Sequence, residues 1–401
     1  MDSLLAITLV LAVMVLAIIR KANLDATMLI GVALTAVFFG RAGQLIQDSA
    51  DTLADPKTIE LMLLVCMVFL MNNILSSSGA MKRVVDSFDH MISDSRVTIA
   101  AIPVVIGLMP VPSGAVLSAP FADEIGEKMK LPRETRHALN YWFRHISEYV
   151  NPIYPGVLLA ISILGLTLQQ FFIANLPVML FYVLCGIVFF LAKIRNHHNK
   201  PGKITLKHLT TAAKGIAPIL LAVALPVAFN TNLILSLIAA VTLAVAINPK
   251  PDKTPWQLIK DSVKPDLLIL VYLVMLFNTV LDHSEATKQI SDSILALGVP
   301  HTILIILVPS LVGFLTGLTI GFVGLTFPIL LPILAPGGNP DMHLITLAYV
   351  SGYLGILSSP MHLCFSVTQK YFKTDLRKSY KTIMPPIILV FLFTLAYTQL
   401  T

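Results

Sequence analysis

Arg144 and Glu148 stand four residues apart in Asn140-Tyr-Trp-Phe-Arg-His-Ile-Ser-Glu-Tyr-Val-Asn151, a segment otherwise dominated by aromatic and aliphatic side chains. At that spacing the two charges share one face of a helix and can pair. A basic group in apolar surroundings is expensive, and is normally paired or functional. The two residues form either a structural ion pair or a site in which Arg144 offers positive potential to an anion while Glu148 restrains it. His145 between them could relay a proton near neutral pH, or could pack as a satisfied core histidine; the same choice holds for His362. His145 and Glu148 make an isolated H-x-x-E, and the chain contains neither HExxH nor GxSxG nor a phosphate-binding glycine loop. Cys66, Cys185 and Cys364 lie inside apolar segments without CxxC spacing and read as small hydrophobes. The expectation is a protein that is not an enzyme, with no catalytic residue, no metal beyond a possible Na⁺ and no cofactor.

Four interruptions supply the other polar candidates: Met109-Pro-Val-Pro-Ser-Gly114, Asn151-Pro-Ile-Tyr-Pro-Gly156, Thr316-Gly-Leu-Thr-Ile-Gly-Phe-Val-Gly324 and Ser358-Ser-Pro360. Each breaks a long apolar stretch, and backbone at membrane depth survives such a break only when buried in protein or lining a wet cavity. Pro110, Pro112 and Gly114 end a helix and allow a reversal around Ser113; Gly317, Gly321 and Gly324 do the same around Thr316 and Thr319. Helices that restart after a break present free N–H groups and a positive dipole end, which suits an anion. Carbonyls freed at Asn151 and Ser358 suit a cation such as Na⁺.

The elements that position these residues follow from composition and repetition. The 401 residues are 56% hydrophobic and 12% charged, against about a quarter charged in soluble proteins, so the chain is a polytopic membrane protein. Spans are expected at 3–19, 24–40, 60–78, 169–192, 214–229, 232–247, 265–282 and 383–399, with an amphipathic connector at 80–95 and another at 283–298. Leu4–Ile19 lacks a basic leader and a cleavage site and is expected to stay as a span. Residues 61–87 match 267–293 at 12 of 27 positions without a gap, at an offset of 206. The matches include Asn72/Asn278, Ser78/Ser284, Lys82/Lys288, Asp86/Asp292 and Ser87/Ser293. Asn72 and Asn278 could hold a hairpin end or coordinate a coupling ion, or act as polar glue between helices. Asn151-Pro152 and Ser359-Pro360 recur at an offset of 208.

With re-entrant hairpins at about 98–130 and 300–336 and broken helices at 138–166 and 343–369, each half crosses the bilayer five times and the halves are inverted. The first repeat is then 1–194, a basic linker covers 195–207 and the second repeat is 208–401. That threading puts 24 of the 28 Lys and Arg on one face, leaves Arg41, Lys57 and Lys288 on the other, and leaves Arg144 alone in the membrane. Such asymmetry is the positive-inside pattern, so the net charge of +6 is a topology signal rather than a nucleic-acid footprint. Both termini are expected outside.

At the runs MPVPSGAVLSAP, NYWFRHISEYVNPIYPG and GYLGILSSPMHLCFSVTQKYF the chain resembles a family of prokaryotic integral membrane proteins in the ion transporter superfamily. That superfamily includes gluconate permeases, citrate and C4-dicarboxylate carriers and the large membrane subunit of TRAP transporters. The resemblance implies an all-α fold of about ten transmembrane helices plus two re-entrant hairpins in two inverted repeats, often a homodimer working by an elevator motion. It also implies that hairpin ends and broken-helix turns hold substrate and Na⁺, here Pro112, Ser113, Gly114 and Asn151, then Thr316, Gly317, Thr319 and Ser359. The expected activity is secondary transport of a small organic anion, driven by Na⁺ or H⁺, in the cytoplasmic membrane. Substrate contacts are expected from those residues with Arg144 and His145, and coupling-ion contacts from Asn72, Asn278, Ser358 and Glu148. A membrane-embedded enzyme or accessory subunit using His145, Glu148 and His362, or an anion channel, are the alternatives.

Overall fold

The computed structural model describes residues 3–110, 114–195, 205–248, 251–286, 289 and 300–400, and among these the fold is all-helical, with nineteen α-helices. The first half runs α1 (Ser3–Ile19), α2 (Leu24–Phe38), α3 (Leu45–Ala54), α4 (Pro56–Ser77), α5 (Ala80–Met91), α6 (Ser95–Gly107), α7 (Gly114–Lys128), α8 (Arg133–Arg144), α9 (Pro155–Leu164) and α10 (Leu168–Gly186). A π-helical turn, Ile187–Leu191, extends α10. The second half runs α11 (Leu206–Phe229), α12 (Leu233–Ile247), α13 (Pro255–Ser262), α14 (Pro265–His283), α15 (His301–Thr316), α16 (Thr319–Leu334), α17 (Met342–Leu357), α18 (Leu363–Phe372) and α19 (Leu376–Leu400).

Among the described residues five helices, α4, α10 with its extension, α11, α14 and α19, are long and apolar enough to cross a membrane. Their starts are written locally. Asp55 caps α4 by accepting from the Thr58 N–H, with Pro56 in the first turn. Thr167 and Gln170 form a capping box on α10.

Both interrupted regions fold as hairpin plus broken helix. α6 packs on α7, and α15 packs on α16 across the two-residue link Gly317-Leu318; Gly317 takes a left-handed φ of +65° that a side chain would resist. At about 1.5 Å per residue these four helices are roughly 20–24 Å long, short of the roughly 30 Å hydrocarbon core. α8 passes through a 3₁₀ turn (Ile146–Tyr149) and an open stretch before α9 restarts at Pro155. α17 stops at Leu357 and the chain restarts as α18 at Leu363.

Each hairpin is held against its broken helix through equivalent contacts. A Cβ on Gly107 would lie 2.1 Å from the Arg144 carbonyl oxygen, and one on Gly313 would lie 2.2 Å from that of Gly352. Backbones this close exclude any side chain, the way small residues bring membrane helices together. Asn151 Nδ2 donates to the Leu108 carbonyl (3.1 Å), while Ser359 Oγ donates to the Phe314 carbonyl. Then Asn151 Oδ1 accepts from the Ile153 N–H (3.1 Å) and Ser359 Oγ from the Met361 N–H (3.0 Å). The hairpin partners are 206 apart and the broken-helix partners 208 apart, the two offsets found in the sequence.

Two short helices were not expected from the sequence, α3 and α13, because neither is an apolar run; each is amphipathic and packs on a span. α3 lies against α14. Its Asp48, fully buried, accepts from Arg41 and sits 2.8 Å from His283 Nδ1, and Thr52 Oγ1 donates to Thr279 Oγ1 (2.9 Å). Of the expected connectors, 80–95 is the helix α5, whereas most of 283–298, like most of the 195–207 linker, lies outside the described residues.

Gly313→Ala should cost at least about 1–3 kcal/mol, the range for overpacking a close contact, read as a lower melting temperature in detergent. Burial raises the Asp48 carboxyl, but the hydrogen bonds from Arg41 and His283 outweigh it and hold the group below its ordinary value. Its stabilisation is therefore complete above the unfolded carboxyl pKa of about 3.9 and is lost as pH falls through the lower folded value. Asp48→Asn should melt a few degrees below the wild type at pH 7. It should also lose less of its remaining stability than the wild type does on acidification below about pH 4.

Candidate functional site

The helices sort into two packed groups. One contains α1–α5 and α11–α14; the other contains both hairpins, both broken helices, α10 and α19. A cavity of ≈ 540 Å³ opens between them. From the first group it receives the start of α2 (Leu24, Asp25), the start of α14 (Asp266, Leu267, Leu270) and Phe69. From the second it receives Pro110 at the end of the first hairpin's α6 arm, Gly317 to Ile320 at the end of the second hairpin, and both breaks: Arg144, Glu148 and Tyr154 to Gly156, then His362 to Cys364.

Arg144 is the centre of this cavity's chemistry. It is 2% exposed; its Nη1 donates to Glu148 Oε1 (2.7 Å) and to the Tyr154 hydroxyl (2.9 Å). Tyr154 passes the chain of hydrogen bonds on by donating to the Gly107 carbonyl (2.6 Å). The i, i+4 pair expected from the sequence is thus formed, and Tyr154 is a third member. Arg144 Nε is buried and has no partner among the described residues. It faces Gly114, the first residue of α7, where a Cβ would lie 2.7 Å from it. A guanidinium N–H and a helix N-terminus, both positive, therefore meet side by side. The N-terminal residues of α9, α16 and α18 line the same cavity. Three helix starts and one arginine, features that suit an anion, meet at this cavity, whose lining also carries the carboxylates of Glu148, Asp25 and Asp266.

The remaining expected residues divide by place. Gly317 and Thr319 line the cavity, Thr319 packed against Gly156, where a Cβ would come within 2.5 Å of its methyl. Thr316 turns its hydroxyl back to the Val312 carbonyl (2.8 Å). The polar atoms of Asn151 and Ser359 are engaged in stapling the breaks to the hairpins. Ser358 Oγ donates to the Leu354 carbonyl (2.8 Å), its own carbonyl accepts from Tyr380 (2.9 Å), and it lines a separate groove between α15, α17 and α19. Asn72 is buried in α4 with neither amide atom partnered among the described residues, and Asn278 donates weakly to Asp282 (3.4 Å); neither lines the cavity. Pro112 and Ser113 lie outside the described residues. His145 is fully buried behind Arg144, its Nδ1 2.6 Å from the Tyr141 carbonyl and its Nε2 3.0 Å from His362 Nε2.

Several residues of the site were not read from the sequence. Tyr141 donates to the Leu357 carbonyl (3.1 Å), Tyr349 to that of Glu148 (2.8 Å) and Tyr353 to that of His145 (2.9 Å), so each broken helix satisfies the other's freed backbone. Tyr141 and Tyr349 are 208 apart, a spacing that would have marked them. Asp25, Asp266 and Cys364 carried no local signal.

No curated protein matches the chain. Among solved structures it is similar to the crystal structure of the Alcanivorax borkumensis YdaH transporter, described as having an unusual topology, with a TM-score of 0.58 and 12% identity over 88% of this chain and 86% of that one. At that identity the likeness is one of fold. A family described as protein of unknown function (DUF401) matches residues 2–400. The chain, a membrane protein with a transporter's fold, belongs to that family.

Proposed function

We propose that this protein is a secondary active transporter of a small organic anion, a carboxylate or sugar acid, coupled to Na⁺ or H⁺. The observation that carries the proposal is the buried Arg144 guanidinium lining a cavity shared by hairpin ends and helix breaks, with its Nε–H, unpartnered among the described residues, against the start of α7. The anion's oxygens accept from the Arg144 guanidinium and from N–H groups at the helix starts. Glu148 and Tyr154 hold the guanidinium through its Nη1 at the wall of the chamber.

The two halves are proposed as inverted repeats, so that the first hairpin enters from the cytoplasm and the second from outside. The recurrence of the glycine and Asn151/Ser359 contacts at one offset supports this, as does the basic face that such a threading creates. Transport then moves the hairpins and broken helices as one body against α2, α4 and α14, an elevator motion; a cavity lined by both groups is what that motion requires. The outer spans supply the scaffold and the contact of a homodimer. The membrane is a prokaryotic cytoplasmic one.

The test is a ligand screen on the purified protein. A carboxylate or sugar acid should raise the melting temperature, because a ligand that binds the folded state stabilises it by mass action. If Na⁺ is the coupling ion the shift grows with Na⁺; if H⁺, it follows pH at constant Na⁺. Arg144→Gln should remove the shift and lower uptake into proteoliposomes at least about tenfold, the loss of one charge-assisted hydrogen bond. An anion taken up equally well by Arg144→Gln would refute the assignment of that residue.

A further inference from the structure

His145 and His362 present a problem of protons. His145 Nδ1 faces the Tyr141 carbonyl at 2.6 Å and His362 Nδ1 faces the Gly317 carbonyl at 2.7 Å. A carbonyl oxygen only accepts, so each Nδ1 carries its ring's hydrogen. That leaves the two Nε2 lone pairs aimed at one another across 3.0 Å. Two neutral imidazoles cannot favour such a contact unless a positive species stands between or beside the lone pairs. The Cys364 sulfur completes the group: one ring nitrogen of His145, one of His362 and Sγ of Cys364 all lie within 4.8 Å of one another, and all three residues are buried.

From this geometry we infer that His145, His362 and Cys364 form a binding site for one borderline-soft divalent metal ion of the zinc class. Three features converge. Two imidazoles and a thiolate are the ligands that select zinc and its neighbours and reject Na⁺, Mg²⁺ and Ca²⁺, which require oxygen. Both rings are oriented by an Nδ1–H to a backbone carbonyl, the outer-sphere bond that a metal-bound histidine needs to keep its Nε2 lone pair on the metal. The ligands come from both helix breaks, and His362 and Cys364 also line the anion cavity. An ion with three protein ligands thus keeps a position open toward the chamber, as non-structural zinc sites do.

Binding involves no redox change. The Cys364 S–H proton leaves to solvent as the Sγ–metal bond forms, and each imidazole donates its existing lone pair, so one proton is released per ion. The filled site carries a net positive charge near Arg144, in keeping with an anion chamber, but the inference stands on the ligand set and does not need the transport proposal.

The full-length protein in detergent, stripped with chelator and reloaded with Zn²⁺, should retain one ion per chain after desalting and should melt higher than the stripped form. Reloading with Co²⁺ should give a thiolate-to-cobalt charge-transfer absorption. Cys364→Ser should abolish that absorption while Cys66→Ser, altered in α4, retains it. His145→Gln and His362→Gln should each weaken binding at least about tenfold, the minimum for disturbing a metal site. If the variants fail to fold, the cobalt spectrum and ion content of the wild type decide alone. Wild-type protein that keeps no ion at saturating Zn²⁺ would overturn the proposal and leave a proton shared between the rings; so would a cobalt–thiolate band that survives Cys364→Ser. Ion binding with no anion ligand found would sustain this site and count only against the transport proposal.

Discussion

A carbonyl or amide freed where a helix breaks in an apolar interior must find a hydrogen-bond partner, because no solvent is there to supply one and each unmet group costs several kcal/mol. The centre of this molecule is organised by that constraint. The backbone opened around 145–154 and 358–362 is answered from three directions. Tyr154 reaches the end of α6, Asn151 and Ser359 tie each break to its hairpin, and Tyr141, Tyr349 and Tyr353 cross between the two broken helices. Removing any one of these leaves a buried acceptor unmet, so the breaks and hairpins behave as one unit.

The same constraint explains why the polar residues nearest the breaks are not the ones free for a ligand. The hydrogen bonds of Asn151 and Ser359 go to backbone. What remains are the helix starts that the breaks create and the guanidinium donors of Arg144, Nε among them, that Glu148 and Tyr154 do not use. Glycines decide the spacing. Gly107 and Gly313 let hairpin and broken helix touch backbone to backbone, and Gly114 lets α7 begin against the Arg144 side chain.

The cavity has walls of two kinds. One wall is the unit just described, dense with aromatic rings and cross-bonded tyrosines. The other consists of the starts of α2 and α14 with Phe69 of α4, an apolar surface bearing Asp25 and Asp266.

Much of this was determined by the sequence alone, through short-range physics. Apolar runs of span length, Pro and Gly at four breaks, the i, i+4 pairing of Arg144 with Glu148 and the 206–208 offset all appear in the chain itself; most span ends fall within a few residues of those patterns, but α11 and α19 start at Leu206 and Leu376, well before the expected 214 and 383. α3 and α13 were not legible, because an amphipathic helix is stabilised by the span it lies on rather than by its own composition. Only the tertiary structure decided that Asn72 and Asn278 lie away from the cavity, that Asp25 and Asp266 line it, and that His145 meets His362 and Cys364. The groups that meet come from distant parts of the chain, His145 from one break and His362 with Cys364 from the other. Their meeting is set by how the two broken helices pack across one another, a long-range outcome that no local pattern encodes.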